Sequence, residues 1–255
     1  MDLTAAVRKQ FGAAARHYVT SSVHSGGPDL DALVAAAASR PGMRLLDVGC
    51  GTGHTTLALA AGGGAVTGLD LTEEMLAMAR EEAARRGIAA DFRLGRAEEL
   101  PFPDASFDVV TSRVCAHHYR DAALSVREAY RVLRPGGVHL VIDTVASENP
   151  LVDTYLNAIE LVRDPSHVRD YRVSEWLAMF AAAGFEGSHA GDFGYALDFD
   201  DWTRRMLTPP VATQLLRHLL DGAPEEVRQA LEVKPGGHDF RIPAALLRAV
   251  RPTRS

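Results

Sequence analysis

Leu45-Leu46-Asp47-Val48-Gly49-Cys50-Gly51-Thr52-Gly53-His54 carries an apolar run into three alternate glycines, and helix-forming residues follow at once. The pattern predicts a buried strand, Arg44–Val48, that ends in a tight loop and opens a helix near Thr55–Ala61. Glycine lacks a Cβ, so the backbone can turn sharply there and a ligand can approach it closely. A helix N-terminus adds unpaired N–H groups and positive potential, for which a carboxylate is a suitable guest. The loop is not a dinucleotide fingerprint. Counted from Gly49, G-x-G-x-x-G would end at His54, and counted from Gly51 it would end at Thr56. The Lys-Ser/Thr of a P-loop is absent as well.

Outward from this loop the chain alternates short apolar runs with helical stretches. Further strands are expected at Ala65–Leu69, Asp91–Leu94, Phe107–Thr111 and Val138–Asp143, with helices near Thr72–Arg86 and Ala122–Leu133. This rhythm argues for a parallel sheet covered on both faces, and the near-continuous apolar strands suit double burial. Arg134-Pro135-Gly136-Gly137 is expected to stop one helix and turn into the next strand. Helices are expected at Leu151–Arg163 and Ser174–Ala183, then an antiparallel pair at Phe185–Ala190 and Tyr195–Phe199, then a mostly helical tail from Asp200. Upstream, Leu3, Val7 and Phe11 repeat at helical spacing, a polar loop runs from Tyr18 to Pro28, and a second helix covers Asp29–Ala38.

The second strand ends in Leu69-Asp70. An acid at the end of strand two, about 20 residues beyond a glycine loop, is where α/β nucleotide folds hold ribose hydroxyls. Asp70 could accept from both hydroxyls, which reads an adenosine without a 2′-phosphate. Taken alone, it could also cap the helix that follows.

LLDVGCGTGHTTLALA resembles the first motif of the class I S-adenosylmethionine-dependent methyltransferases, and VTGLDLTEEMLAMAR resembles their second. RAEELPFPDASFDVVTSR and REAYRVLRPGGVHLVID are similar to the later motifs, so the resemblance covers residues 41–143 in order. It implies a Rossmann-like, doubly wound α/β fold of seven strands, mostly parallel with an antiparallel C-terminal hairpin strand. It implies S-adenosyl-L-methionine as cofactor. It also implies that Asp47 orients the end of the first strand, that Gly49, Gly51 and Gly53 pass under the methionine part, and that Asp70, with Leu71 beside it, takes the ribose. Ala97 and Glu98 would edge the adenine. Arg96 stands where the family often has an acid, so adenine recognition would pass to the Glu98 side chain or to backbone groups.

Ligands of such folds bind beyond the carboxyl ends of the strands. Strand four runs into Ser112-Arg113-Val114-Cys115-Ala116-His117-His118-Tyr119, without the Asn/Asp-Pro-Pro-aromatic element of enzymes that methylate base amino groups. His117-His118, Ser166-His167-Val168-Arg169, Glu175-Trp176-Leu177 and the N-terminal series Tyr18, Ser21, His24, Gly27, Leu30 resemble a narrower group. This is the methyltransferase type 11 group of bacterial small-molecule enzymes, related to ubiquinone/menaquinone biosynthesis. The tail beyond residue 200 matches it only loosely. The resemblance adds Tyr18 to the cofactor residues.

Methyl transfer from a sulfonium is a direct displacement, and a phenol, acidic carbon or ammonium acceptor must also lose a proton. Histidine is the side chain best poised for that near neutral pH. His117 is the candidate general base, with His118 or His167 as helpers. Adjacent residues of an extended chain point opposite ways, so the first two should not serve one atom. Arg113 is expected to pair either with the cofactor's carboxylate, with the acceptor, or with a helix acid. Trp176, Trp202, Phe193, Tyr195 and Phe199 either wall an acceptor pocket or pack in the core.

The composition sets the outer bounds. At 255 residues, 47% hydrophobic and 24% charged, one large α/β domain with additions fits the chain. Its net charge of −6, without basic clusters, is a poor match to nucleic acid or an anionic membrane. Two cysteines without CxxC spacing, and histidines without HxxxH or HExxH spacing, argue against a metal site or a disulfide framework. No apolar run approaches the roughly 20 residues of a membrane span, and the N-terminus lacks a signal-peptide core, so a cytoplasmic monomer or homodimer is expected. The organisation read from the sequence is an N-terminal helical lid, 1–40; a cofactor-binding core, 41–199, with a helical insertion at about 150–172; and a C-terminal helical addition, 200–255. Two rival functions use the same pocket. One is a pericyclase or decarboxylase-like enzyme that keeps the methyl group, and the other is a non-catalytic cofactor-binding protein.

Overall fold

Leu45, Leu46, Asp47 and Val48 are all buried, as the run entering the glycine loop requires. They form β1 (Arg44–Val48), which pairs in parallel with β2 (Ala65–Asp70) on one side and β4 (Phe107–Arg113) on the other. The computed structural model describes Gln10 and residues 26–253. Within them, seven strands form one sheet in the order β3-β2-β1-β4-β5-β7-β6, where β3 is Asp91–Leu94, β5 Leu133–Thr144, β6 Glu186–Leu197 and β7 Phe240–Val250. Strands β1 to β5 run parallel, while β7 is antiparallel to both β5 and β6. This is the doubly wound, Rossmann-like α/β architecture expected from the sequence. The strand order reverses between β1 and β4, which opens a crevice at their carboxyl ends.

Side chains alternate across the strands and feed two different cores. Leu46, Val48, Leu69, Val110 and Val141 pack on one face with α4 (Ala122–Val132) and α6 (Val173–Ala183). Leu45, Val66, Val109, Leu140 and Ile142 pack on the other with α1 (Pro28–Ala37) and α2 (His54–Ala60). Helix α3 (Glu73–Arg86) closes the β3 edge through Leu76, Ala79 and Ala83 against Phe92. Local chemistry sets the helix ends. Asp121 accepts from Leu124 N at 2.8 Å to start α4, and Asn149 accepts from Leu151 N at 2.9 Å to start α5 (Pro150–Arg163). Gly87 and Gly184 end α3 and α6 in the left-handed region.

Three expectations need correction. Phe185–Ala190 and Tyr195–Phe199 do not pair with each other. One continuous β6 runs through both, because the chain bulges between His189 and Gly191 instead of reversing. The tail from Asp200 is helical in α7 (Phe199–Arg205), α8 (Pro210–Asp221) and α9 (Glu225–Ala230), but then supplies β7. The addition at 200–255 is therefore not wholly helical, and the core does not close at residue 199, because β7 lies inside the sheet. The Ala- and Leu-rich stretch Ala244–Ala249 favours helix by propensity, but β5 and β6 bury it from both sides and override that preference. Finally, Arg134-Pro135-Gly136-Gly137 already belongs to β5, with Gly136 at φ 80° and its N–H donating to Arg251 O at 2.8 Å. The helix at Leu3–Phe11 and the loop from Tyr18 lie outside the described residues, apart from Gln10, whose Nε2 donates to Met206 O at 2.6 Å.

Because β7 is central, its side chains carry the fold. Leu247→Ala should lower unfolding stability by about 2–5 kcal/mol in urea titrations. A loss below about 1 kcal/mol would mean that the tail is a dispensable attachment.

Candidate active site

Beyond the carboxyl ends of β1, β2 and β4 the structure holds a cavity of about 1110 Å³, counting its open mouth. Among the described residues, most of its wall comes from four loops. The β1 loop gives Gly49, Cys50, Gly51 and Thr52; the β2 loop gives Asp70, Leu71 and Thr72; the β3 loop gives Gly95 to Glu98; the β4 loop gives Arg113 to Cys115 and His118 to Arg120.

The glycine loop bends back on β2. Gly49 N and Cys50 N both donate to Leu69 O, at 2.8 and 3.0 Å, and Gly53 N donates to Cys50 O at 2.9 Å. Gly49 has φ 72°, and a Cβ there would collide with the Cys115 sulfur. Gly51 has φ 50°, and a Cβ would meet nothing within 4 Å. Gly51 is thus the bare point of the cradle. Its N–H donates to Asp70 Oδ2 at 2.8 Å, while Thr72 N donates to Asp70 Oδ1 at 2.9 Å. Asp70 therefore braces the residue that opens the next helix and faces the cavity at once. A carboxylate has about four acceptor positions, so two bonds leave capacity for further donors. Burial pushes its carboxyl above the ordinary aspartate value, and the backbone donors oppose that rise. The N–H groups of residues 49, 50, 51 and 53 are spent within the protein, so these glycines serve close approach more than anion binding.

Two residues expected at the cofactor lie behind the wall. Asp47 is buried and accepts from Thr56 Oγ1 at 2.6 Å and Thr111 Oγ1 at 2.9 Å, which ties β1 to α2 and β4. Burial, only partly offset by those hydroxyls, pushes its carboxyl up to about 6. Gly53 caps α2 in the left-handed region, where a Cβ would press on Ala79 of α3 at 3.0 Å. Its role is packing. Arg113 reaches the cavity, and its Nε donates to Asp29 Oδ2 of α1 at 2.7 Å, an oxygen shared with Tyr195 OH at 3.0 Å. Asp29 is thus a helix partner for Arg113. Leu71, Ala97 and Glu98 line the cavity, with Glu98 Oε1 accepting from Arg120 N at 2.8 Å. Tyr18 lies outside the described residues. Trp176 is buried in the core with α4 and α6, while Trp202, Tyr195 and Phe199 are buried in a further cluster with Val152, Leu156, Leu216 and Leu220, against which Phe193 packs; none lines the cavity.

The histidines divide differently from the expectation. Ala116–His118 is one 3-10 turn, not extended chain, and it brings the rings of His117 and His118 to 4.2 Å between centroids. His117 turns away from the cavity, and its Nδ1 bonds Asp143 Oδ1 at 2.6 Å. Burial alone would lower its pKa, but the charge and hydrogen bond of Asp143, helped by Asp170 and Glu160, push it up to about 9. Held toward its protonated form by Asp143 and turned from the cavity, His117 is not placed to take a proton from a ligand there. His118 lines the cavity. Burial and then the charge on His117 lower its pKa to about 4, so it is neutral. His167 stands behind the pair, 5.8 Å from the His117 ring, with Nε2 3.2 Å from Asn157 Oδ1, and burial lowers it to about 2. Beneath the pair, Asp170 shares a short bond with Thr144 Oγ1, and burial pushes its carboxyl up to about 7.

Asp143 and Asp29 were missed by the sequence reading. The one available signal for Asp143 was an acid closing the apolar run Val138–Ile142, by analogy with Asp70. Among the described residues, no group of three or more His, Cys, Asp or Glu is arranged to hold a metal ion, and no helix is long and apolar enough to cross a membrane.

With this geometry in view, a methyltransferase-domain model matches residues 46–141. The chain is 37% identical over 219 residues to the uncharacterized methyltransferase YcgJ of Bacillus subtilis, a span of 86% of this chain and 87% of that one. It is 39% identical over 130 residues to the ubiquinone/menaquinone biosynthesis C-methyltransferase UbiE of Brucella anthropi, covering 48% of this chain and 49% of that one. The solved structure of YcgJ superposes with a TM-score of 0.84 at 35% identity, over 88% of this chain and 97% of that one. A solved protein from Bacillus halodurans gives 0.85 at 37% identity, over 89% and 100%.

The buried acid–imidazole cluster makes stability depend on pH. His117 is raised from 6.5 and Asp170 from 3.8, so both favour the folded state most when protonated. Their contribution is complete at low pH, and it is lost as pH rises through about 7 for Asp170 and about 9 for His117. Urea midpoints should therefore fall between pH 6.5 and 9, by a free energy on the order of 1–3 kcal/mol. Asp143→Asn should flatten that decline. A rise over this range, or identical slopes in both proteins, would contradict the assignment.

Proposed function

The chain belongs to the S-adenosylmethionine-dependent methyltransferase family, and from that premise we propose that it methylates a small organic acceptor held beside His118. One observation carries this reading. A single cavity joins the glycine loop, the Asp70 carboxylate and the His118 ring. The residues present fit the cofactor. The bare Cα of Gly51 and the tight bend at Gly49 leave room for its amino-acid part. Asp70 would take the ribose hydroxyls on its remaining acceptor positions. Ala97 and Glu98 would edge the adenine, with Leu71 and Met75 as apolar walls.

When bound, the cofactor supplies a methyl carbon already activated by the sulfonium charge. The protein's task is then positioning, which in favourable intramolecular models is worth up to about 7–11 kcal/mol. The loops after β1, β2 and β4 hold one reactant. His118 and Arg120, at the far wall, would orient the other, and His118 would receive any proton the acceptor must lose.

A small acceptor is favoured by a bounded cavity and by the net charge of −6, which is ill suited to nucleic acid. Two relatives have names that specify small organic chemistry: the UbiE enzyme of Brucella anthropi and the 27-O-demethylrifamycin SV methyltransferase of Amycolatopsis mediterranei. The latter is 40% identical over 110 residues, covering 42% of this chain and 40% of that one.

Asp70→Ala should weaken S-adenosylhomocysteine binding by about 10- to 150-fold, the worth of hydrogen bonds to a charged group, while thermal melting stays cooperative. Equal affinity in both proteins would overturn the ribose assignment. With a turned-over acceptor, S-adenosylhomocysteine should form in stoichiometry with product. Product without it would mean that the pocket serves a rearrangement that keeps the methyl group.

A further inference from the structure

We propose that Asp164 and Ser166 prepare His118 to take the proton of a hydroxyl- or acidic-carbon-bearing acceptor. Ser166 does so by fixing the ring's tautomer, and Asp164 by offsetting the charge the ring acquires. This rests on the methyl-transfer reading and narrows its acceptor class.

The segment that follows α5 grips the histidine turn. Val168 N and Arg169 N both donate to His117 O, at 2.9 and 3.1 Å. On the same segment, Ser166 O lies 3.1 Å from His118 Nδ1. A carbonyl oxygen only accepts, so Nδ1 carries the hydrogen. In the neutral ring, Nε2 is then the nitrogen with the lone pair. Fixing one ring nitrogen in this way is how a backbone carbonyl selects the basic atom of an imidazole.

Nε2 stands 3.9 Å from Asp164 Oδ2. Two lone-pair-bearing atoms do not bond, and this spacing is longer than a hydrogen bond. The two oxygens of Asp164 are used unequally. Oδ1 accepts from Ser166 N at 2.8 Å and Ser166 Oγ at 2.6 Å, whereas Oδ2 is buried and has no hydrogen-bond partner. Leaving a buried carboxylate oxygen without a donor is costly. A proton on Nε2 relieves that cost. An interaction that strengthens as charge develops favours the transition state over the ground state.

The other charged and titratable groups around His118 act in both directions. The His117 imidazolium, at 4.2 Å between ring centroids, opposes a second positive charge, and Asp143 behind it offsets part of that. The neutral His167 ring is 6.5 Å away. Among the described residues, Asp164 is the carboxylate paired with the basic nitrogen, at 3.9 Å. Such a device has no use for a thioether or a tertiary amine, which has no proton to lose. It suits a phenol, an enol or an acidic carbon. With the cofactor bound, the acceptor atom would form its bond to the methyl carbon as the methyl–sulfur bond breaks with its pair going to sulfur, and the acceptor's bond to hydrogen would break. The electron pair of the broken bond to hydrogen stays on the acceptor, and the proton goes to Nε2. The positive charge lost by the sulfonium reappears on the imidazolium, so the total is unchanged. A base of low pKa suffices, because the acceptor proton becomes strongly acidic as the new bond forms.

Asp164 is a positioning residue, and its effect can be read without turnover. In the full-length chain with S-adenosylhomocysteine, 15N NMR of the His118 ring at pH 7.5 should show the Nδ1–H tautomer. Titrated downward from pH 8, His118 should protonate at least one pH unit lower in Asp164→Asn than in the wild type. Nε2–H as the resting tautomer would overturn the role of Ser166, and an unchanged His118 titration would overturn that of Asp164. Absence of S-adenosylhomocysteine binding to the wild type would instead refute the methyl-transfer reading, since the ring signals are readable without ligand.

Discussion

The Asp70 carboxylate, bonded at once to Gly51 N and Thr72 N, is the interaction on which the rest of the site depends. It holds the loop after β1 against the loop after β2, and so fixes the width of the crevice between them. The backbone of that crevice could not close in this way with a side chain at Gly49, where the Cys115 sulfur occupies the space. Asp47, one layer below, secures the same loop from inside through Thr56 and Thr111. Two acids at the ends of neighbouring strands thus take separate tasks. The deeper one is satisfied by hydroxyls of the protein, and the one facing the cavity keeps acceptor capacity for a ligand.

The far wall follows a related logic with imidazoles. His117 and His118 are too close for both to carry charge comfortably, and their surroundings decide which one does. Asp143 claims His117 as an ion pair, and that charge helps keep His118 neutral at the cavity. The bulk of the acidic groups here, Asp143, Glu160, Asp164 and Asp170, lie beneath the histidine turn and outside the cavity lining, where they set protonation without blocking the space above.

Much of this was legible in the sequence, for identifiable reasons. The apolar run into Gly49-Cys50-Gly51 and the acid at Asp70 are local patterns, and strand, loop and helix follow from them directly. β7 was not legible, because Ala244 to Ala249 have a helical composition and only burial between β5 and β6 makes them a strand. The bulge at Gly191 hid the continuity of β6 in the same way. The histidine pair was visible, but its division of labour was not. Adjacency does not reveal a 3-10 turn, and Asp143 and Asp164 lie far along the chain from His117 and His118. Arg113 shows the same limit, since its partner Asp29 comes from a helix 84 positions earlier.

The account is tested most directly by a crystal structure of the chain with S-adenosylhomocysteine. The predicted result is a ribose whose hydroxyls lie within hydrogen-bond distance of Asp70, an amino-acid part that passes over Gly51, and a thioether sulfur that faces the space beside His118. A ligand bound elsewhere, or one seated here with Asp70 turned away from its sugar, would contradict it.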